Sequence, residues 1–495
     1  MDQKEFKLLT GTCDDILKMF PENYPVIAVS WLHVLNVHPN SLQHYQYALK
    51  PRGFFSACSI LLRNAAYIGY KLFKSFIGTD VDQNGLPFRA DVLFISHLVN
   101  TNLPVGTQDF YYGQLPYLAE TQNGRKSVTG MIDHTPGVKK RVQRVALEND
   151  ITVKYIFPKT HSFYKEIILL GQCIRTFRLL LKSSSAETDR SKRIILREAA
   201  FQSLAPDTFY TLRIYESIKA LISRLQPADL VITWEGRAWE RLAIYAAKTA
   251  EFPVHCIGYQ HTILLSSSHS IKRPLGIRYD ADLIFTLGNI TNKILQETLV
   301  NSVCKTYGSY RLVLPEVSQM KSFEKIICLV TPEGLDGESL QLFGFAVEIA
   351  KKMPEITFVF RMHPVFPYDR FAQKHKEFQL LPSNCLISEF PSMNEDLKRC
   401  NFLLYRASSV ALYAVINGLK PVYCGKEDEM SIDSLYYLGN WRSVVNNELE
   451  FRQVIKTHQQ TSDTEKAEQF AAALVLCREY VIVPDENKFI NSFCS

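Results

Sequence analysis

The chain has 495 residues, 46% of them hydrophobic and 21% charged, with 56 Lys and Arg against 50 Asp and Glu and a formal net charge of +6. That length allows two or three domains around a sizeable core, and the composition excludes a disordered chain. The small positive excess is interspersed with acids, which excludes the charge footprint of a nucleic-acid binder.

In chain order, the opening MDQKEFKLLTGTCDD carries acids where a secretory leader needs a basic start and an apolar core. The 11 cysteines form no CxxC and no metal-ligand spacing, so a reducing, cytoplasmic location is expected. No window supplies the roughly 20 apolar residues of a transmembrane helix. Two segments, FFSACSILLRNAAYIGYKLFKSF from Phe54 and FYKEIILLGQCIRTFRLLLK from Phe163, are apolar and basic at once. Such helices either lie on an anionic membrane surface as a peripheral contact or pack as ordinary amphipathic core helices.

Short apolar runs then alternate with helical patterns: VLFISH from Val92, DLVITWEG from Asp229, VHCIGYQH from Val254, ADLIFTLG from Ala281, KIICLVTPEG from Lys325, TFVFRMHP from Thr357, NFLLYRASS from Asn401 and KPVYCG from Lys420. Continuous apolar runs of this length read as buried parallel strands, and the alternation predicts a doubly wound α/β protein. A fresh strand-helix series begins at Lys325, which predicts two Rossmann-like domains in tandem. We expect a first domain over residues 1–315 with a helical insertion at about 160–225, a second over 316–465, and a closing helix over 466–495 that crosses back.

Ligands of open α/β sheets bind beyond the carboxyl ends of the strands. The residues that end the runs are Ser96 and His97, Glu235 and Gly236, Gln260 and His261, Glu333 and Gly334, His363 and Pro364, Glu389, and Ser408 with Ser409. Two hydroxyls at a helix start suit a phosphate, or serve as caps. His363 is a candidate donor to a phosphate or leaving group, and Glu389 a candidate acceptor from ribose hydroxyls. Gly334 would let backbone N–H groups approach a donor. Arg361 would neutralise a sugar carboxylate or phosphate, or sit in a structural ion pair. In the first half, Glu235 is the first candidate for a general base, because the neighbouring Trp234 and Trp239 would desolvate it and raise its pKa. His261 is the second candidate, and Ser96, His97, Arg237 and Gln260 are candidates to hold acceptor or sugar.

The order His363-Pro364, Glu389, Ser408-Ser409 resembles the nucleotide-binding half of bacterial GT-B glycosyltransferases that use CMP-activated sugars, among them sialyltransferases, polysialyltransferases and Kdo transferases. The resemblance implies that His363, Pro364, Ser408 and Ser409 contact the donor phosphate and that Glu389 holds the ribose. Those sialyltransferases carry an acid-acid-Gly motif whose second acid is the base. Here Glu235-Gly236 matches it, with Trp234 in place of the first acid. The WEGRAWE segment and GYQHT at Gly258 also resemble bacterial capsule and O-antigen biosynthesis proteins.

Asp280-Ala281-Asp282 precedes a strand where a DxD metal motif would follow one, and the sequence has no P-loop, GxGxxG or GxSxG. The expected function is metal-independent glycosyl transfer without a cofactor, from a CMP-linked 2-keto-3-deoxy acid such as Kdo or a sialic-acid-like sugar to a glycan or glycolipid. Alternatives are a CDP-glycerol or CDP-ribitol phosphotransferase, a UDP-sugar transferase or epimerase, and a non-catalytic scaffold.

Overall fold

The computed structural model describes residues 1–45, 47–50, 52–77, 85–99, 109–135, 142–147, 150–310, 312, 314, 320–321, 325–363 and 366–493. All eight apolar runs of the sequence become strands in one of two sheets. The first contains β1 (Val92–Leu98), β2 (Ser127–Asp133), β3 (Val142–Leu147), β4 (Asp150–Ile156), β5 (Asp229–Thr233), β6 (His255–Tyr259), β7 (Leu283–Thr286) and β8 (Val303–Thr306). Their order is β3-β4-β2-β1-β5-β6-β7-β8, parallel throughout except for the β3-β4 pair. The second contains β9 (Ile327–Thr331), β10 (Thr357–Phe360), β11 (Cys385–Ile387), β12 (Phe402–Tyr405), β13 (Lys420–Cys424) and β14 (Ser443–Val445). Its order is β11-β10-β9-β12-β13-β14, and every pairing is parallel. The chain is thus the α/β protein the alternation predicts, with two Rossmann-like doubly wound sheets.

Alternation along β1 explains the continuous apolar run. Leu93 and Ile95 enter the large core under the helical segment, while Val92 and Phe94 enter a separate aromatic core with Tyr112, Tyr259, Phe285 and Phe489. Both faces are covered, so each inward position must be apolar. Between β4 and β5 the chain forms three helices, Phe163–Ala186, Arg190–Ser203 and Pro206–Leu225. After the second sheet, helix Asp463–Tyr480 brings the chain back to the first. The Tyr480 hydroxyl donates to the Leu264 carbonyl at 2.8 Å and accepts from the Leu264 N–H at 2.7 Å, and its ring stacks on Tyr437 at 4.2 Å. No helix among the described residues is long and apolar enough to cross a membrane.

In each sheet the strand order reverses at one point: between β1 and β5 in the first and between β9 and β12 in the second. The N-terminal segment ties these points together. His33 Nδ1 lies 3.2 Å from the Gly236 carbonyl oxygen beyond β5, and His38 donates to the Glu333 carboxylate beyond β9 at 2.8 Å. Residues 33 to 38 span at most about 17 Å of extended chain, so one short segment holds the ends of β5 and β9 near each other.

Candidate active site

The turn after β5 is built around two opposed side chains. Trp234 points inward, fully buried, with the Arg241 guanidinium 4.3 Å from its ring centre. Glu235, one residue on, points outward into a cavity of about 490 Å³. The backbone then turns through Gly236 at φ 78°, where a Cβ would lie 2.2 Å from the Ser270 carbonyl oxygen. Only glycine fits that approach without displacing backbone. Ser270 also donates its hydroxyl to the Glu235 carbonyl at 2.9 Å, so the turn is held from both sides.

Arg237 occupies the N-cap position of helix Ala238–Lys248. The Glu240 carboxylate in that helix's first turn accepts the N–H groups of Glu235 and Arg237, both at 2.9 Å, and the Thr233 hydroxyl at 3.0 Å. A fully buried carboxylate thus satisfies orphan donors of the helix start and fixes the direction in which Glu235 leaves the backbone.

The cavity wall joins residues from several strand ends: His97 and Val99 from β1, His134 from β2, Glu235, Arg237 and Trp239 from the β5 turn, His261 from β6, and Tyr111, Asp207 and Tyr210 from flanking segments. His97 Nδ1 and His134 Nε2 are 2.8 Å apart and share one hydrogen. The His97 ring meets Trp239 edge-on at 5.3 Å, and Tyr111 meets His261 at 4.9 Å. Arg237 donates its Nε–H to Glu235 at 2.6 Å.

The electrostatics differ from the expectation for Glu235. Burial pushes its carboxyl up, but the Arg237 charge, His261 and the Arg237 hydrogen bond together hold it down to about 2. The adjacent tryptophans do not decide it, because Trp234 faces the other way. Glu240 is the carboxyl raised, to about 7, by burial and by the charge of Glu235. Burial, then His134 and Arg237, lower His97 to about 3, so it is neutral at physiological pH. At neutral pH the cavity therefore presents an ionised Glu235, a cationic Arg237 and neutral His97.

Strand alternation removes two candidates from the cavity. Ser96 faces the opposite side of β1 and donates to Asp109 at 2.8 Å. Gln260 is fully buried, accepting the Leu287 N–H at 2.8 Å and donating to the Thr262 carbonyl. His97, Glu235, Arg237 and His261 come together. His134 and Tyr111 escaped the sequence analysis because β2, SVTGMID, has no unbroken apolar run and no strand marks Tyr111.

In the second sheet, Glu389, His363, Gly334 and Ser408 follow β11, β10, β9 and β12, four adjacent strands in that order. At ~4.8 Å per strand the row spans about 14 Å. His363 and Glu389 are exposed, and Pro364 lies outside the described residues. Glu389 lines a cavity of about 890 Å³ at the outer edge of the sheet with Tyr368, Phe390 and Arg399, and that cavity does not include His363, Gly334 or Ser408. Ser408 accepts the Val410 N–H at 3.3 Å, and exposed Ser409 occupies the N-cap position of helix Val410–Ile416 without a capping hydrogen bond from its side chain. Arg361 does not project to a ligand: it pairs with Asp396 at 2.6 Å and donates to the carbonyls of Phe390 and Pro391 at 2.9 and 3.1 Å. The ion-pair alternative holds for it, because its guanidinium clamps the loop after β11. Arg406, unremarked in the sequence, lies buried beyond β12 between Glu338 at 2.6 Å and Glu429 at 2.9 Å.

Asp280 and Asp282 are both structural. Asp280 pairs with the fully buried Arg241, and Asp282 accepts from Lys248 and the Cys256 N–H.

No protein-family model matches the sequence, and no curated protein matches it. Solved structures are similar to it in fold. An α,α-trehalose-phosphate synthase from Burkholderia vietnamiensis is 10% identical over 82% of this chain and 96% of its own, with a TM-score of 0.45. The calicheamicin glycosyltransferase CalG4 is 10% identical over 79% and 95%, at 0.42. Anabaena HepE, solved with UDP and glucose, is 12% identical over 81% and 97%, at 0.43. Likeness at this level is loose. The pair of doubly wound sheets follows from the strand order above.

Proposed function

We propose that the protein is a metal-independent glycosyltransferase, with an acceptor site in residues 1–315 and a donor site in residues 316–465. The donor is a CMP-activated 2-keto-3-deoxy acid such as Kdo or a sialic-acid-like sugar, and the acceptor a surface glycan or glycolipid made in the cytoplasm. The observation that carries this is the meeting of Glu235 with Arg237, His97, His134 and His261 in one cavity at the point where the first sheet reverses, near the corresponding point of the second.

Transfer forms a bond from an acceptor oxygen to the anomeric carbon and breaks the bond from that carbon to the CMP phosphate, which leaves with the electron pair. Glu235 takes the acceptor proton. Held by Arg237 it is a weak base. An anionic donor draws the half-exposed Arg237 away, and the carboxylate left behind in a partly buried site becomes more basic. His97 and His134 orient acceptor hydroxyls as neutral partners, and His261 is the second candidate base. In the second domain, His363, Ser408 and Ser409 hold the departing phosphate, with Glu389 on the ribose and the Gly334 backbone beside the donor.

Thermal stabilisation by nucleotides tests the donor. CMP should raise the melting temperature, and Ser408→Ala with Ser409→Ala should abolish most of that rise. Stabilisation by UDP alone moves the donor to UDP-sugars, and stabilisation by no nucleotide removes the proposal. Glu235→Gln should abolish transfer with CMP binding intact; a fully active variant moves the base to His261.

A further inference from the structure

Helix Phe54–Ile77 leaves several large apolar side chains exposed. It buries a stripe of Ala57, Asn64, Ile68 and Ser75, while Phe55, Leu62, Phe73, Phe76 and Ile77 stand 88, 72, 62, 73 and 69% exposed. Helix Phe163–Ala186 continues this surface. The rings of Phe76 and Phe163 meet edge-on at 5.7 Å, and Tyr164, Ile167 and Ile168 are exposed beside them. Exposed apolar groups clustered across two helices in this way mark an interaction site.

Its charge identifies the partner. The first helix contains Arg63, Lys71 and Lys74 and no acid. The second contains Lys165, Arg175, Arg178 and Lys182, and its one acid, Glu166, is fully buried against Arg213 at 2.8 Å. Among the described residues of these two helices, the exposed charges beside the aromatic and aliphatic groups are therefore all cations. A second copy meeting this face symmetrically would set cation against cation. An anionic bilayer answers both features, taking the apolar side chains below its headgroups and the cations among them. No described helix can cross a membrane, so both helices would lie in the interfacial plane.

We propose that this two-helix face docks the protein on an anionic lipid bilayer. Ser56, Ser59, Ile60, Arg63 and Tyr67 of the first helix also line a cavity of about 1040 Å³, whose wall shares His33 and Arg237 with the Glu235 cavity. Docking sets that cavity beside the headgroups, where a lipid-anchored acceptor would reach Glu235. That consequence rests on the proposed reaction; the docking does not.

Sedimentation of the full chain with vesicles tests the docking without any activity. The protein should bind vesicles of phosphatidylcholine mixed with anionic phosphatidylglycerol, bind neutral phosphatidylcholine far more weakly, and lose binding in high salt. Lys71→Ala with Lys74→Ala should weaken binding roughly 25-fold, at about fivefold for each cation removed near an anionic surface. Phe73→Asp with Phe76→Asp should abolish it, while Lys456→Ala, on an exposed helix of the second domain, should leave it unchanged. The substituted phenylalanines are exposed, so melting curves matching the wild type will show that the variants fold. Absence of binding to anionic vesicles, equal binding by the Phe73/Phe76 variant, or a solution dimer lost in that variant without vesicle binding would each overturn the proposal.

Discussion

Replacing Arg237 by Gln should raise the pKa of Glu235. The Arg237 Nε sits 2.6 Å from the Glu235 carboxylate, with side chains 46% and 25% exposed. The carboxyl lies at about 2 against an ordinary 4.5, a preference for the ionised form worth about 3 kcal/mol at 1.36 kcal/mol per pH unit. Burial opposes that preference, so the attractions together exceed it, but His261 and His97 supply part of them and the nearly half-exposed arginine is screened by water, which leaves about 1–2 kcal/mol for the pair. In Arg237→Gln the carboxyl should therefore titrate about one pH unit higher. NMR titration of carboxyl-labelled glutamate checks this directly. A Glu235 with depressed pKa adds stability that is complete above pH 4.5 and lost as pH falls toward 2, so the variant should lose less stability across that window than the wild type. If transfer is measured, the acid limb of kcat/KM should move upward by the same amount. An unmoved Glu235 titration would refute the account of this site.

Glu240, raised to about 7, costs stability as pH rises from 4.5 through 7, because the folded state holds a proton that the unfolded chain releases. Glu240→Gln should match the wild type near pH 5 and exceed it at pH 8, whereas Glu240→Ala, leaving buried donors unpaired, should cost about 3 kcal/mol or more in urea unfolding. Gly236→Ala meets the Ser270 carbonyl at a positive φ and should cost about 1–3 kcal/mol of strain while displacing Glu235, seen as a lower melting temperature with loss of transfer. Asp280→Ala strands the fully buried Arg241 and should destabilise by about 3–5 kcal/mol in the same unfolding assay.

Strands whose two faces are both buried announce themselves, which is why all eight apolar runs were legible. β2 was not: its Gly130 sits where a Cβ would lie 2.9 Å from the Phe157 ring, so close packing calls for a small residue in place of an apolar one. With β2 unseen, His134 at its end was unseen as a site residue. The same limit affected Ser96 and Gln260. A strand end names two adjacent residues, but only one faces the cavity, and the neighbour's hydrogen bonds decide which.

The sequence by itself determined the class of fold and three of the strand ends that line the cavity, those of β1, β5 and β6, because hydrophobic periodicity and glycine requirements are local properties. It also carried the two basic, apolar helices, though not which side they bury. Only the tertiary structure decided the electrostatics. Glu235 is held low and Glu240 raised because a carboxyl's pKa depends on charges and burial supplied by residues distant in sequence, and on which way each side chain leaves the turn. Likewise Arg361 could neutralise a ligand or sit in an ion pair as far as its sequence goes, and its folded partner Asp396 makes it structural.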